Sequence, residues 1–196
     1  MVKKLSDSIA LKMSNELNFD KDKEAVMSYG LEIVLGGIFK IVTLLLLSWA
    51  LGIFSYTIAC MLSFSAFRTV IGGTHADTYK KCFVVSVGLL LLIGSLGKYF
   101  YFLGQDHFWL AYIVYGLALS AVFLWVPVGT EKKTIKRKAL RYKMKLLALI
   151  LLTAWIALIL WSQNTLYSVY TFSSILGVFS AFLLLTPPAY RLMKKI

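Results

Sequence analysis

Only two cysteines and two histidines occur among the 196 residues, which is too few for most metal sites. The chain has no Cys-x2-Cys and no His-Glu-x2-His, so a structural zinc centre and metalloprotease chemistry are both excluded, and no cofactor is called for. Proline is also scarce. Pro127 and the Pro187-Pro188 pair fall at the ends of apolar runs, where they stop a helix without breaking its middle. Lys3 and Lys4 are followed by the polar stretch LSDSIALKMSNELNFDKDKE and not by an apolar core, so no cleavable signal peptide is expected. No internal repeat or low-complexity linker divides the chain. The expectation is a single membrane domain over 1–196, with an N-terminal segment 1–30, a transmembrane bundle 31–186 and a tail 187–196.

What is abundant is apolar surface. Hydrophobic residues make up 59% of the chain and charged residues only 15%, and the mean hydropathy is +0.77, which places it among integral membrane proteins. Runs long enough to cross about 30 Å of hydrocarbon lie near 31–50, 52–67, 83–103, 108–127, 145–162 and 165–186. The fold class expected is all-α and polytopic, with about six transmembrane helices. The second run is the weakest, because it is short and carries Ser55, Ser63 and Ser65 before Arg68. A re-entrant segment is the alternative there, but a full crossing keeps the charges of the loops alternating.

That alternation orients the chain. Nineteen of the twenty-one Lys and Arg residues fall in the N-terminal segment, the loop after the second run, the loop after the fourth and the tail. Lys and Arg in short loops are retained on the cytoplasmic side, so both termini, His75 and Cys82 are expected to be cytoplasmic, in a multi-pass protein of the cell membrane. The stretch EKKTIKRKALRYKMK, Glu131 to Lys145, retains its loop there and attracts anionic lipid. A basic segment pinned between two spans argues against nucleic acid as a partner. Lys40 interrupts the first span near mid-membrane, and a charge there motivates a rival reading as a small transporter or peptide exporter.

Within the N-terminal segment, Leu5, Ile9, Met13 and Leu17 recur every four residues and predict an amphipathic helix. It would lie in the membrane interface or pack on the protein's own cytoplasmic face. Asn18 and Asp20 read as a break and a new N-cap leading into the first span.

The stretch with chemical content is RTVIGGTHADTYKKC, Arg68 to Cys82, a polar break between apolar runs. A cysteine attacks as thiolate and an imidazole can take its proton, so Cys82 and His75 have the equipment for covalent acyl chemistry. On one continuous helix the two would be about 10 Å apart along the axis, too far for proton transfer, so the chain is expected to bend between them. Gly72 and Gly73 allow such a bend and could bring backbone amides to a substrate carbonyl; a plain turn is the alternative. Asp77 is a weak third candidate. Cys60, inside an apolar run, is expected to be an inert small hydrophobe, and His107 an interfacial residue.

Arg68, then Gly72-Gly73-Thr74-His75, then Cys82 before an apolar span resemble the accessory gene regulator protein B (AgrB) family, membrane cysteine endopeptidases of Gram-positive quorum sensing. Length, charge pattern and the basic segment after the fourth run fit as well. The resemblance implies that Cys82 is the nucleophile and His75 the general base, with Arg68 and Gly73 needed for activity. It implies cleavage of an AgrD-like propeptide before its acidic C-terminal tail, an acyl-enzyme thioester, and cyclisation to a thiolactone. Lys132, Lys133, Lys136 and Arg137 would then help recruit the acidic tail by long-range attraction. Family analogy also implies a homodimer.

Overall fold

The computed structural model describes residues 2–17, 19–72, 79–126, 138–163 and 165–186. Among them the chain is helical without strands: α1 (Val2–Leu17), α2 (Lys21–Ala50), α3 (Phe54–Ile71), α4 (Tyr79–Tyr99), α5 (Phe102–Asp106), α6 (Trp109–Leu124), α7 (Lys138–Ser162) and α8 (Thr171–Leu183), with a short 3-10 helix over Leu166–Tyr170 before α8. Five helical segments are long and apolar enough to cross a membrane, and α6, at 16 residues, is a shorter apolar helix. The protein is a multi-pass all-α membrane protein.

Two compact units divide the chain, residues 1–46 and 47–196. The first holds α1 and most of α2. Asp20 caps α2 as expected, its Oδ1 accepting the Lys23 backbone N–H at 2.8 Å. At 30 residues α2 extends about 45 Å, longer than a bilayer core, because its charged first turns precede the apolar run in one continuous helix.

The second unit is built around α3 and α8. The last turn of α2 passes into α3 through Gly52, whose φ of +66° suits glycine, and the Ile53 N–H reaches back to the Ser48 carbonyl at 2.9 Å. The second apolar run is therefore one unbroken 18-residue helix. Its serines look unfavourable on a hydropathy scale, yet two of the three are satisfied within the bundle: Ser65 Oγ donates to the Met61 carbonyl at 2.7 Å, and Ser63 Oγ to the Ala59 carbonyl at 2.8 Å while meeting Ser174 Oγ at 2.6 Å. Trp155 of α7 donates its indole N–H to the same Ser174 oxygen at 2.9 Å, so one hydroxyl ties α3, α7 and α8 together.

Close approach holds α3, α4 and α8. A Cβ placed on Gly177 of α8 would lie 2.7 Å from the Cys60 carbonyl oxygen of α3. On α4, a Cβ on Gly94 would fall 2.3 Å from Thr57 Oγ1, and one on Gly97 would fall 1.8 Å from Ser173 Oγ of α8. Each helix of the three thus meets the other two over a small residue. In lipid, helices associate by van der Waals contact rather than by the hydrophobic effect, so backbones that approach this closely gain the most. The Thr57 and Ser173 hydroxyls are fully buried and find no hydrogen-bond partner among the described residues, a cost of about 1–3 kcal/mol each that the close contact must offset.

Farther along, Phe67 of α3 is 2% exposed and rests edge-on against Trp155 and tilted against Phe182, with ring centroids at 6.5 and 5.5 Å. Lys145 of α7 donates to the Phe123 carbonyl at 3.1 Å and so closes the C-terminal turn of α6. The α7 helix begins at Lys138, seven residues before the apolar run, because Lys, Arg, Ala and Leu are good helix formers even where they are too polar to be read as a span.

Replacing Gly177 by Ala is expected to lower stability by about 1–3 kcal/mol through overpacking against Cys60. Gly116→Ala on α6, where a Cβ meets open space, should leave stability unchanged or raise it by up to about 1 kcal/mol. Thermal unfolding of the two variants in the same detergent measures the difference, and equal losses would contradict the packing described.

Candidate functional site

The rotation of α3 sets the site. Phe67 and Ile71, four residues apart, both point into the core at 2% and 0% exposure, which fixes the last turn of the helix. Arg68, one position on from Phe67, is half-buried and lies in electrostatic reach of Cys82. The helix then ends at Gly72, whose φ of +76° and ψ of −153° form a conformation that is essentially restricted to glycine. A side chain at this position would be strained whatever space surrounds it.

Cys82 is not in a loop, as its polar neighbours suggested. α4 is described from Tyr79 to Tyr99, so Cys82 stands in the first described turn of this helix. Hydropathy places the boundary at 83, but Tyr79, Lys80 and Lys81 continue the helix beyond its apolar part. The consequence is chemical. The amides of a helix N-terminus carry partial positive charge, and a thiolate there is stabilised by them as well as by a nearby cation. Arg68, near the end of α3, is a cation within electrostatic reach of Cys82. Cys82 is half-buried, its backbone carbonyl accepting Ser86 Oγ at 2.6 Å, while Lys80 and Lys81 are exposed.

Tyr79 is a neighbour that the sequence reading missed. It is three residues from Cys82 on the same helix face, in electrostatic reach of it, and its ring packs on Phe83 with centroids 6.2 Å apart. The i, i+3 spacing was the available signal, and it goes unseen once residue 79 is taken as loop. The second cysteine has a different character: Cys60 is fully buried between α3 and α4, its thiol directed at the carbonyls of Thr57 and Leu90 at 3.2 and 3.6 Å. That is the setting of an inert thiol. His107 is at the C-terminal end of α5, edge-on to Trp109, and belongs to the opposite end of α4 from Cys82. Lys40 is half-buried on α2.

His75, Gly73, Thr74 and Asp77 lie outside the described residues, as do Lys132, Lys133, Lys136 and Arg137. Of the expected site residues the described part holds Arg68, Gly72 and Cys82, with Arg68 in electrostatic reach of Cys82 and Gly72 ending the helix that carries Arg68. Among the described residues no group of three His, Cys, Asp or Glu side chains could hold a metal ion.

Arg68, the glycine turn and a cysteine opening a membrane helix occur here inside a match to a family model. Residues 6–184 match the model of Accessory gene regulator B. The chain belongs to the AgrB family. It is similar to the putative AgrB-like protein 2 of Clostridium perfringens, 25% identical over 80% of this chain and 74% of that protein. A putative AgrB-like protein of Clostridium acetobutylicum is 29% identical over 74% of this chain and 68% of its own length. Accessory gene regulator protein B of Staphylococcus aureus is 24% identical over 70% and 71%. No solved structure matches the chain. AgrB membership supports a role in the accessory gene regulator system of quorum sensing.

Because Gly72 adopts a conformation closed to other residues, Gly72→Ala is expected to cost about 1–3 kcal/mol of stability. Thermal unfolding in detergent tests this, and an unchanged midpoint would show that the α3 terminus tolerates a side chain.

Proposed function

We propose that the chain is a membrane-embedded cysteine endopeptidase that cuts an AgrD-like propeptide before its C-terminal tail and promotes cyclisation of the upstream fragment to a thiolactone. The observation that carries this reading is Cys82 in the first described turn of α4 with Arg68 in electrostatic reach, in a chain of the AgrB family.

The chemistry runs in two acyl transfers. His75 takes the Cys82 proton, and the thiolate attacks the scissile carbonyl carbon. As the C–N bond breaks, the imidazolium returns the proton to the leaving amine, and the tail departs while the upstream fragment stays on Cys82 as a thioester. An internal cysteine of that fragment then gives its proton to His75, its sulfur attacks the thioester carbonyl, and Cys82 leaves as thiolate, which restores the thiolate and imidazolium pair. A thiolactone ring closes. Hydrolysis and cyclisation differ only in the second nucleophile, so a site shielded from water favours the ring. Arg68 has two uses in this scheme: it balances the thiolate at both ends of the cycle, and its guanidinium suits a carboxylate of the departing tail.

Placement follows from the charges. With both termini on the cytoplasmic side, the α3–α4 connection and the basic segment after α6 share that side with the substrate tail, and Lys132, Lys133, Lys136 and Arg137 draw the acidic tail in. A second copy of the chain is a further proposed partner, on family analogy.

Co-expression with a short propeptide that has an internal cysteine and an acidic tail tests the proposal. Cys82→Ala and His75→Ala should each abolish mature peptide, whereas Lys40→Leu should leave cleavage intact. Reversing the charges of the basic quartet should weaken processing by about tenfold without removing it, since such residues steer encounter rather than make bonds. Mature peptide released by Cys82→Ala would end the peptidase reading. Loss at Lys40 together with retained cleavage by Cys82→Ala would favour an exporter.

A further inference from the structure

Helix α1 carries two neighbouring stripes that answer to different surroundings. Ser6, Ala10 and Ser14, spaced by four, are covered by protein at 0%, 0% and 4% exposure. Beside them Leu5, Met13 and Leu17 are 54%, 39% and 53% exposed. Small residues on the covered side let a helix sit close against its support. Large apolar residues on the open side have no such cover.

The depth of α1 is set by one hydrogen bond. Ser28 of α2 donates to the Asp7 carboxylate, although the chain between the helices turns near Asp20, so α1 folds back on α2 and does not extend from its end. Ser28 stands between the charged first turn of α2, Lys21 to Glu24, and the apolar run that begins near 31, with Glu32 one turn farther on. α2 is long and apolar enough to span a membrane, and Val26, Ile33 and Val34 are 73%, 57% and 57% exposed. Ser28, flanked by Glu24 and Glu32 one turn to either side, thus precedes the fully apolar part of α2, at the level of the bilayer interface, and Asp7 is held there.

We propose that α1 lies in the bilayer interface, with Leu5, Met13 and Leu17 sunk into the boundary between headgroups and acyl chains and the Ser6, Ala10 and Ser14 stripe turned to protein. The partner of the open face is lipid. Apolar contact holds it rather than charge, because Lys3, Lys4 and Lys12 are nearly balanced by Asp7 and Glu16, and Asp7 is engaged with Ser28. The amphipathic reading and the packed reading of this segment are both satisfied, on adjacent stripes. The inference stands whether or not the chain is a peptidase.

The test uses the full chain with Cys82→Ser, Cys60 being buried, in nanodiscs of phosphatidylcholine with or without phosphatidylglycerol. A single fluorescent label is introduced at Leu5→Cys, Met13→Cys or Leu17→Cys, and for comparison at Leu11→Cys or Asn15→Cys, which are exposed on the other side of the helix. Lipids with a shallow acyl-chain nitroxide should quench the first three labels at least about threefold more than the last two, aqueous iodide should do the reverse, and the pattern should hold in both lipid mixtures. Equal iodide access at all five positions would overturn the proposal. Labels at 5, 13 and 17 shielded from both quenchers would overturn it too, by showing a protein surface over them. Lipid quenching found only with phosphatidylglycerol would make charge the cause and contradict the proposal as stated.

Discussion

Three helices that meet over glycine leave no freedom to rotate, and the site depends on that constraint. Gly177 against Cys60, Gly94 against Thr57 and Gly97 against Ser173 lock α8, α3 and α4 to one another. Phe67, held by Trp155 and Phe182, carries the same constraint to the end of α3. With Phe67 and Ile71 turned inward, Arg68 has one side left to face, and Cys82 at the start of α4 is within its electrostatic reach. The bundle tolerates two fully buried hydroxyls without hydrogen-bond partners among the described residues, at Thr57 and Ser173, as part of achieving that fit.

A half-buried guanidinium at the end of a membrane helix is costly unless something nearby gains from its charge. A thiolate gains. Cys82 is further placed at a helix N-terminus, so the backbone dipole and the side-chain cation act on the sulfur in the same sense. Gly72 supports this arrangement from the backbone, ending α3 in a conformation that other residues avoid and leaving six residues to reach Tyr79. The contrast with Cys60 is instructive: the same side chain, sealed between two helices and aimed at carbonyl oxygens, has neither a cation nor exposure.

Much of this was legible in the sequence, because its signals are coarse and strong. Long apolar runs gave the helices, Asp20 gave the cap of α2, and Arg68, Gly72 and Cys82 were singled out by residue type. The positions of helix ends were harder. Hydropathy measures fitness for lipid and not helicity, so α4 was expected to start at 83 and α7 at 145, although Lys-rich turns extend both. The same scale made α3 look like the weakest span when it is central, since the run is short and Ser55, Ser63 and Ser65 lower its hydropathy, while Ser63 forms one of its contacts. The spacings Ser173-x3-Gly177 and Gly94-x2-Gly97 were readable signs of close helix packing, but not of which helices would meet. In α1 the four-residue period was clear, whereas the covered stripe proved to be the serines and alanine beside it.

The account rests on Arg68 governing the reactivity of Cys82, and alkylation of that thiol in the membrane-embedded protein measures it directly. With iodoacetamide at neutral pH, Arg68→Ala should slow modification of Cys82 by about tenfold, Arg68→Lys should restore part of the rate, and Cys60 should stay unmodified throughout. A rate at Cys82 that is indifferent to residue 68 would contradict the account.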